Sequence, residues 1–348
     1  MKQLGELMMG EKKNLTQKQE YLQYLLPELE DGLIDKMIAV ATAKGKKQVT
    51  NSANTDIDPY EELMAMIGCN NAKAQLRAMI ADYRMRKIAE ARGRNHARAY
   101  YHAVFSGNPG CAKTTCARLY AKALANEGIT QNKRFAELSR SNIVGQYVGS
   151  TAPKVREIFR KNAGGVIFID EAYSLCDGEH SSNNTFGEEA INEIIVCLEN
   201  YPETVAIFAG YPDKMEEFLE TNPGLRSRIP YRVAFEDYTT EELVDISKVI
   251  ANKHGFAISD SAAVKLSVIY ETARKQKGFS NGRYVRNMVE AAVRVKGINL
   301  GVMDNQDISK FMNADLYTDD ALFSLDESCF VLSHDIPQEH HRKIGFCG

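Results

Sequence analysis

The chain has 348 residues, 44% hydrophobic and 26% charged, enough to build one large domain or two smaller ones that each bury a core. A net charge of -3 argues against a chain-wide role in binding polyanions. No apolar run approaches the roughly 20 residues of a membrane helix, and the opening MKQLGELMMGEKK lacks a continuous apolar segment of signal-peptide type, so no membrane insertion and a cytoplasmic location are expected. The seven cysteines (Cys69, Cys111, Cys116, Cys176, Cys197, Cys329 and Cys347) are odd in number and show no C-x-x-C spacing, which points away from a disulfide framework or a zinc ribbon.

Residues 1–55 read as a helical appendage followed by a polar linker. Leu22, Leu25, Leu26, Leu29 and Leu33 follow helical spacing, with Pro27 splitting or kinking the run, and this face packs either on the chain's own core or on a partner. Lys44, Lys46 and Lys47 in the linker read as a solvated charge run. From 56 to 237 helices alternate with the short β-branched and aromatic runs YYHAVFSG, RFAEL, GVIFIDEA, TVAIFAGY and YRVAF. That alternation predicts an α/β domain, a parallel five-stranded sheet flanked by helices with right-handed crossovers. Ile191, Ile194, Ile195 and Leu198, at i, i+3, i+4 and i+7, predict one helix face packed on the sheet. After about residue 238 strand signals cease, and TTEELVDISKVIANKHGF and SDSAAVKLSVIYETARKQ open on Thr or Ser/Asp caps. A small all-α domain over 238–305 follows from this, then a tail over 306–348, whose His340, His341 and Cys347 read as solvated rather than metal-binding.

The stretch GNPGCAKTT runs from Gly107 through Asn108, Pro109, Gly110, Cys111, Ala112, Lys113 and Thr114 to Thr115. It follows the predicted strand HAVFS and opens the predicted helix TTCARLYAKALANEG, where backbone N–H groups and the positive helix end can hold phosphate oxygens. Lys113 can reach the β and γ phosphates of ATP, and Thr114 can hold Mg2+. Further along, VIFIDEA ends the third predicted strand with Asp170, placed to order Mg2+ through its water shell, and Glu171, placed to polarise the attacking water. Either piece alone reads as a glycine turn or a strand ending in acids; together, in this order, they point to ATP hydrolysis. Ala112 stands where G-x-x-x-x-G-K-[ST] has its second glycine. Its methyl is expected to be tolerated in an unstrained right-handed conformation, and only a required positive φ would make it costly.

With these motifs the chain resembles the AAA+ ATPases of the CbbX and stage V sporulation protein K group, which also takes in the red-type Rubisco activases and the ATPase module of the type VII secretion component EccA. The resemblance covers roughly residues 56–300 and is carried by MIGCNNAKAQL, GNPGCAKTT, VGQYVGSTAPKV, FIDEAYSL, FGEEAINEII, AIFAGYPDKMEEFLETNPGLRSRIPYRVAFEDY and FSNGRYVRN. It implies the AAA+ P-loop NTPase fold with a sensor-2 lid. It also implies that Met66, Ile67 and Gly68 line the adenine pocket, that Arg228 is the arginine finger reaching a neighbouring subunit, with Arg226 the second candidate, and that Arg283 is the sensor-2 arginine. A finger acting in trans implies a ring-shaped homo-oligomer, a hexamer in this family. The A-K-[ST] ending also occurs in the MCM helicases, which favours tolerance of Ala112.

After the second strand, GQYVGST falls where AAA+ proteins carry their pore loop: Tyr147 offers a flat ring, Val148 an apolar contact and Gly149 a pivot for an extended polypeptide. The strand ending IFAGY offers no Asn or Thr at the sensor-1 position, and the role of Tyr211 stays open. The expected function is an ATP-driven remodeller that threads a protein client through a central pore. The alternatives are a nucleotide-gated scaffold with little turnover and a nucleic-acid motor. The basic stretch YRMRKIAEARGRNHARAY, with Arg84, Arg86, Lys87, Arg92, Arg94 and Arg98, is interrupted by acids, so nucleic acid is not the expected partner. The client is not identified by the motor core, and its selection is expected of residues 1–55 and the tail.

Overall fold

The computed structural model describes residues 58–94, 99–176, 184–300 and 318–331. The leucine face around Pro27, the lysine linker, Arg98, and the His340, His341 and Cys347 group lie outside the described residues.

Asp58 caps α1 (Pro59–Ala65) by accepting the Tyr60 N–H at 3.2 Å, with Pro59 at the first helical position and Glu61 and Glu62 on the positive end. Then follow α2 (Asn70–Ala91), β1 (Ala103–Gly107), α3 (Lys113–Asn126), β2 (Phe135–Leu138), α4 (Arg140–Ile143), α5 (Thr151–Lys161), β3 (Val166–Ile169), a single 3-10 turn (Ala172–Leu175), α6 (Asn184–Asn200), β4 (Val205–Gly210), α7 (Pro212–Glu220), α8 (Pro223–Arg228) and β5 (Tyr231–Phe235). The five strands are parallel in the order β2-β3-β4-β1-β5. Strand by strand they coincide with the five runs read from the sequence.

Every residue of β3 and β4 is buried, as expected of parallel strands covered on both faces. On one face Phe105, Phe168 and Ile207 pack under α2 and α3 through Leu76, Tyr120 and Leu124. On the other, Ile167 and Phe208 meet Ile191, Ile194 and Leu198 of α6, with Ile195 half-buried at the margin. This two-sided burial, about 25 cal/mol per Å2 of apolar surface, holds the layers together. The strand order reverses beside β1, which lies between β4 and β5, and the crevice at such a reversal is where open α/β sheets bind ligands.

The lid begins at α9 (Thr240–Lys253), started by a capping box in which Thr239 and Glu242 satisfy each other's backbone N–H at 3.2 and 2.9 Å. Next come β6 (Ala257–Ile258), α10 (Asp260–Ala273), capped by Ser259, and α11 (Gly282–Asn299). Leu243, Leu266, Tyr270, Val285 and Val289 form its core.

Two expectations change here. Strands do not cease after 238, because β6 pairs in parallel with β7 (Ser324–Leu325). Nor does the lid core end near 305: α12 (Asp319–Phe323) precedes β7, and Leu325, Cys329 and Phe330 are buried in that core. A two-residue strand carries no periodicity, so the sequence gives no sign of this return.

The basic stretch is partly paired with acids of the same chain. Arg84 meets Glu127 at 2.7 Å, Arg86 meets Asp82 at 2.8 Å and Lys87 meets Glu90 at 3.6 Å, so three of its cations have acidic partners. Among the described residues no helix is long and apolar enough to cross a membrane.

Candidate nucleotide site

A cleft of about 590 Å3 opens beside the carboxyl ends of β1, β3 and β4 and is roofed by the lid. Pro109, Gly110, Ala112, Lys113, Thr114 and Thr115 form its floor, and Asp170 and Glu171 its far wall. Thus the glycine loop and the acidic strand end, some sixty residues apart in the chain, meet across one cavity.

Within the loop Gly107 ends β1 so close to β5 that a Cβ there would lie 2.5 Å from the Phe235 carbonyl oxygen. Ala112 has φ +61° and ψ +22°, left-handed, directly before α3. The expectation of an unstrained right-handed alanine is therefore corrected: the loop must reverse here to aim its N–H groups inward, and a residue with a Cβ bears a strain of about 1–2 kcal/mol in that region. Lys113 Nζ donates to the carbonyl oxygens of Gly107 and Asn108 at 2.7 and 2.9 Å. Burial pushes its pKa down, Arg283 adds to that, and Cys111, Asp170 and Glu171 oppose it. An arriving phosphate would relieve this by giving the ammonium a strong counter-charge.

Glu171 is also left-handed (φ +49°, ψ +45°), exposed, and its N–H donates to Asp170 Oδ1 at 3.0 Å. Backbone strain of this kind is maintained by surrounding packing and collects at functional sites. It turns the Glu171 side chain off the end of β3 beside Asp170. The two carboxylates and Thr114 supply oxygen donors of the hard type that suits Mg2+, so the site fits that ion with a nucleotide.

On the base side Met66 and Ile67 line the cleft. Gly68 does not; at φ +64° it backs onto Tyr238, whose ring would lie 2.8 Å from an added Cβ. Cys69 repeats the left-handed turn at φ +55°, and Lys73 Nζ holds the Met66 carbonyl oxygen at 2.6 Å. Asn108 and Cys111 point away from the cleft toward Asp237, at 3.0 and 3.6 Å. From the lid, Arg283 is brought to the cleft wall.

Sequence reasoning missed Arg286 and the wall formed by Ile246, Val249, Ile250 and Lys253 of α9. Arg286 lies three residues after Arg283 on α11 and so shares its face, a spacing that could have found it. The α9 wall has helical spacing too, but that stripe is indistinguishable in sequence from an ordinary core face. Tyr211, left open above, lines the cleft with Gly210, its ring 5.8 Å from that of Tyr173.

Arg228 lies outside this cleft. At the end of α8 its guanidinium is ion-paired with Glu199 of α6 and donates to the Gly224 carbonyl oxygen at 3.2 Å. Arg226 is exposed and 3.3 Å from Glu216. In the loop between α4 and α5, Tyr147 and Val148 are 74% and 92% exposed, and Gly149 has φ +78°. Ser150 braces the turn, its Oγ accepting the Tyr147 N–H at 3.1 Å and donating to the Tyr147 carbonyl oxygen at 2.6 Å.

Comparison with known proteins agrees with this geometry. The family described as ATPase family associated with various cellular activities (AAA) matches residues 103–236, and the AAA lid domain matches 239–327. Stage V sporulation protein K of Bacillus subtilis is 34% identical over 262 residues, covering 74% of this chain and 79% of that protein. Protein CfxQ of Xanthobacter flavus is 38% identical over 226 residues, covering 65% of this chain and 71% of its own. The crystal structure of the FIGL-1 AAA domain in complex with ADP superposes with a TM-score of 0.53 at 19% identity, over 80% of this chain and 84% of that one, a likeness of fold. A glycine loop facing an acidic strand end, under a lid that brings arginines to the same cleft, is thus matched by relatives spanning both domains, and the chain belongs to the AAA+ ATPases of the CbbX and stage V sporulation protein K family.

Proposed function

We propose that this ATPase works in the cytoplasm as a closed homo-hexameric ring that threads a protein client through its centre. The observation that carries the reading is the Tyr147–Val148 pair. Two apolar side chains stand largely in water on a braced turn, and among the described residues the only other exposed aromatics are Tyr211 and Phe323, at 38% and 44%, so the exposure of Tyr147 needs a reason. An aromatic ring beside a valine grips extended polypeptide without reading its sequence.

Each subunit binds ATP on the Gly107–Thr115 loop, with Thr114 and Asp170 holding Mg2+, which would neutralise phosphate charge. Glu171 orients the attacking water. Arg283 reads the nucleotide from the lid. Arg228, absent from its own cleft, serves a neighbour's, where an arginine stabilises charge developing on the γ-phosphate. A nucleic-acid substrate is disfavoured, since Arg84, Arg86 and Lys87 of the basic stretch are already paired with Glu127, Asp82 and Glu90.

The test is a Tyr147→Ala variant assayed for ATP turnover and for unfolding of a fluorescent protein client carrying an unstructured tail. Retained turnover with client unfolding lost supports threading. Equal loss of both, or unchanged unfolding, sinks it.

A further inference from the structure

Asn281, the residue before α11, has φ +46° and ψ -123°, a conformation that glycine adopts freely and other residues do not. Glycine would satisfy that backbone without strain, so what asparagine adds at this position is its carboxamide. The side chain is fully buried and uses both ends. Its Oδ1 accepts the Tyr238 N–H at 3.1 Å, and its Nδ2 donates to Asp237 Oδ1 at 2.7 Å and lies 3.4 Å from the Pro109 carbonyl oxygen.

Asp237, on the segment joining β5 to α9, is the matching hub. Besides Asn281 it takes the Asn108 Nδ2, 3.0 Å from each carboxylate oxygen, and faces the Cys111 thiol at 3.6 Å. The backbone adds one link, from the Gly282 N–H to the Gly110 carbonyl oxygen at 3.1 Å. Three segments far apart in the chain are thereby joined: the phosphate loop at 108–111, the domain joint at 237–238 and the start of α11 at 281–282.

We propose that Asn281 and Asp237 are positioning residues, a clasp that makes the lid follow phosphate occupancy of the loop. The loop in this structure has its lysine turned back onto the carbonyls of Gly107 and Asn108. When phosphate draws Lys113 and the loop N–H groups inward, Asn108, Pro109 and Gly110 move with them. Their bonds to Asp237, Asn281 and Gly282 carry the displacement to the start of α11, whose first two turns bear Arg283 and Arg286. The clasp belongs to a single subunit and needs only nucleotide binding, so it stands or falls apart from the ring and its client.

Hydrogen exchange of the full chain, with and without Mg-ADP, tests it. In wild type, Mg-ADP is expected to slow exchange both in residues 107–115 and in residues 282–290. Asn281→Gly, which keeps the backbone conformation and removes the carboxamide, is expected to keep the loop protection, leave ADP affinity within about threefold, lose the α11 protection and lower kcat about tenfold. Asp237→Ala is expected to do the same, and the double variant to be no worse than either single one, because a clasp opened at one side is already open. Protection of α11 that persists in Asn281→Gly overturns the inference, as do single-variant effects that add in the double variant.

Discussion

Gly110 of the phosphate loop lies against Ser280 of the lid so closely that an added Cβ would overlap the Ser280 carbonyl oxygen. Its φ of +76° excludes an unstrained side chain independently. Gly110→Ala should therefore wedge the lid from the loop and weaken ADP binding about tenfold or more, at a local strain of about 1–3 kcal/mol. Titration with a fluorescent ADP analogue measures it; affinity within twofold of wild type would show that the lid does not need this contact.

Ala112 offers the opposite change. Glycine there removes left-handed strain of about 1–2 kcal/mol but loosens the unfolded chain by about 0.4–1 kcal/mol. Ala112→Gly should thus stabilise the nucleotide-free protein by about 0.5–1 kcal/mol in urea unfolding, with ATP turnover kept. A destabilised variant would mean that the methyl contributes packing that outweighs its strain.

If Arg228 acts on a neighbouring subunit's nucleotide, Glu171→Gln and Arg228→Ala subunits should each be inactive alone, with ATP still bound. Removal of such an arginine lowers turnover about 1,000-fold or more. Mixed in equal amounts, about a quarter of the interfaces pair an intact Glu171 with an intact Arg228 from the next subunit, so about a quarter of wild-type turnover should return. Absence of recovery, in rings verified to be mixed by light scattering and native mass spectrometry, would place the finger elsewhere, with exposed Arg226 next in line.

Cys69, half-buried beside Tyr238, has its pKa lowered, first by a hydrogen bond from the Cys116 thiol and also by Tyr238 and Lys73, against burial and Glu242. Cys116 is fully buried and pushed up by the same bond. Thiolate, the reactive form, should thus be populated at Cys69 at a lower pH than on an ordinary thiol. Iodoacetamide labelling followed by peptide mass spectrometry should show the Cys69 rate reaching half its plateau at a lower pH than that of a free thiol, with Cys111 and Cys116 slow throughout. A Cys69 midpoint at 8.5 or above, the range of a free thiol, would contradict it.

The five strands, the phosphate loop and the Asp170–Glu171 strand end were legible because each is encoded by contiguous residues whose pattern has a local cause: short β-branched and aromatic runs for buried parallel strands, glycine at a reversal, acids at a buried strand's exit. Arg283 came through resemblance, whereas Arg286 was missed although its spacing from Arg283 could have found it. What only the tertiary structure decided has no local code. The left-handed turn at Ala112 is imposed by the demand that the loop enter α3 while facing the cleft, against the residue's own preference. Arg228 is turned to Glu199 by the packing of α8 on α6, and β7 closes the lid with two residues that no periodicity could mark. The Asn281–Asp237 clasp joins segments 44 residues apart to a loop 172 residues away from Asn281. Contacts at that separation depend on how the chain packs, and a sequence read along one dimension contains their residues but not their meeting.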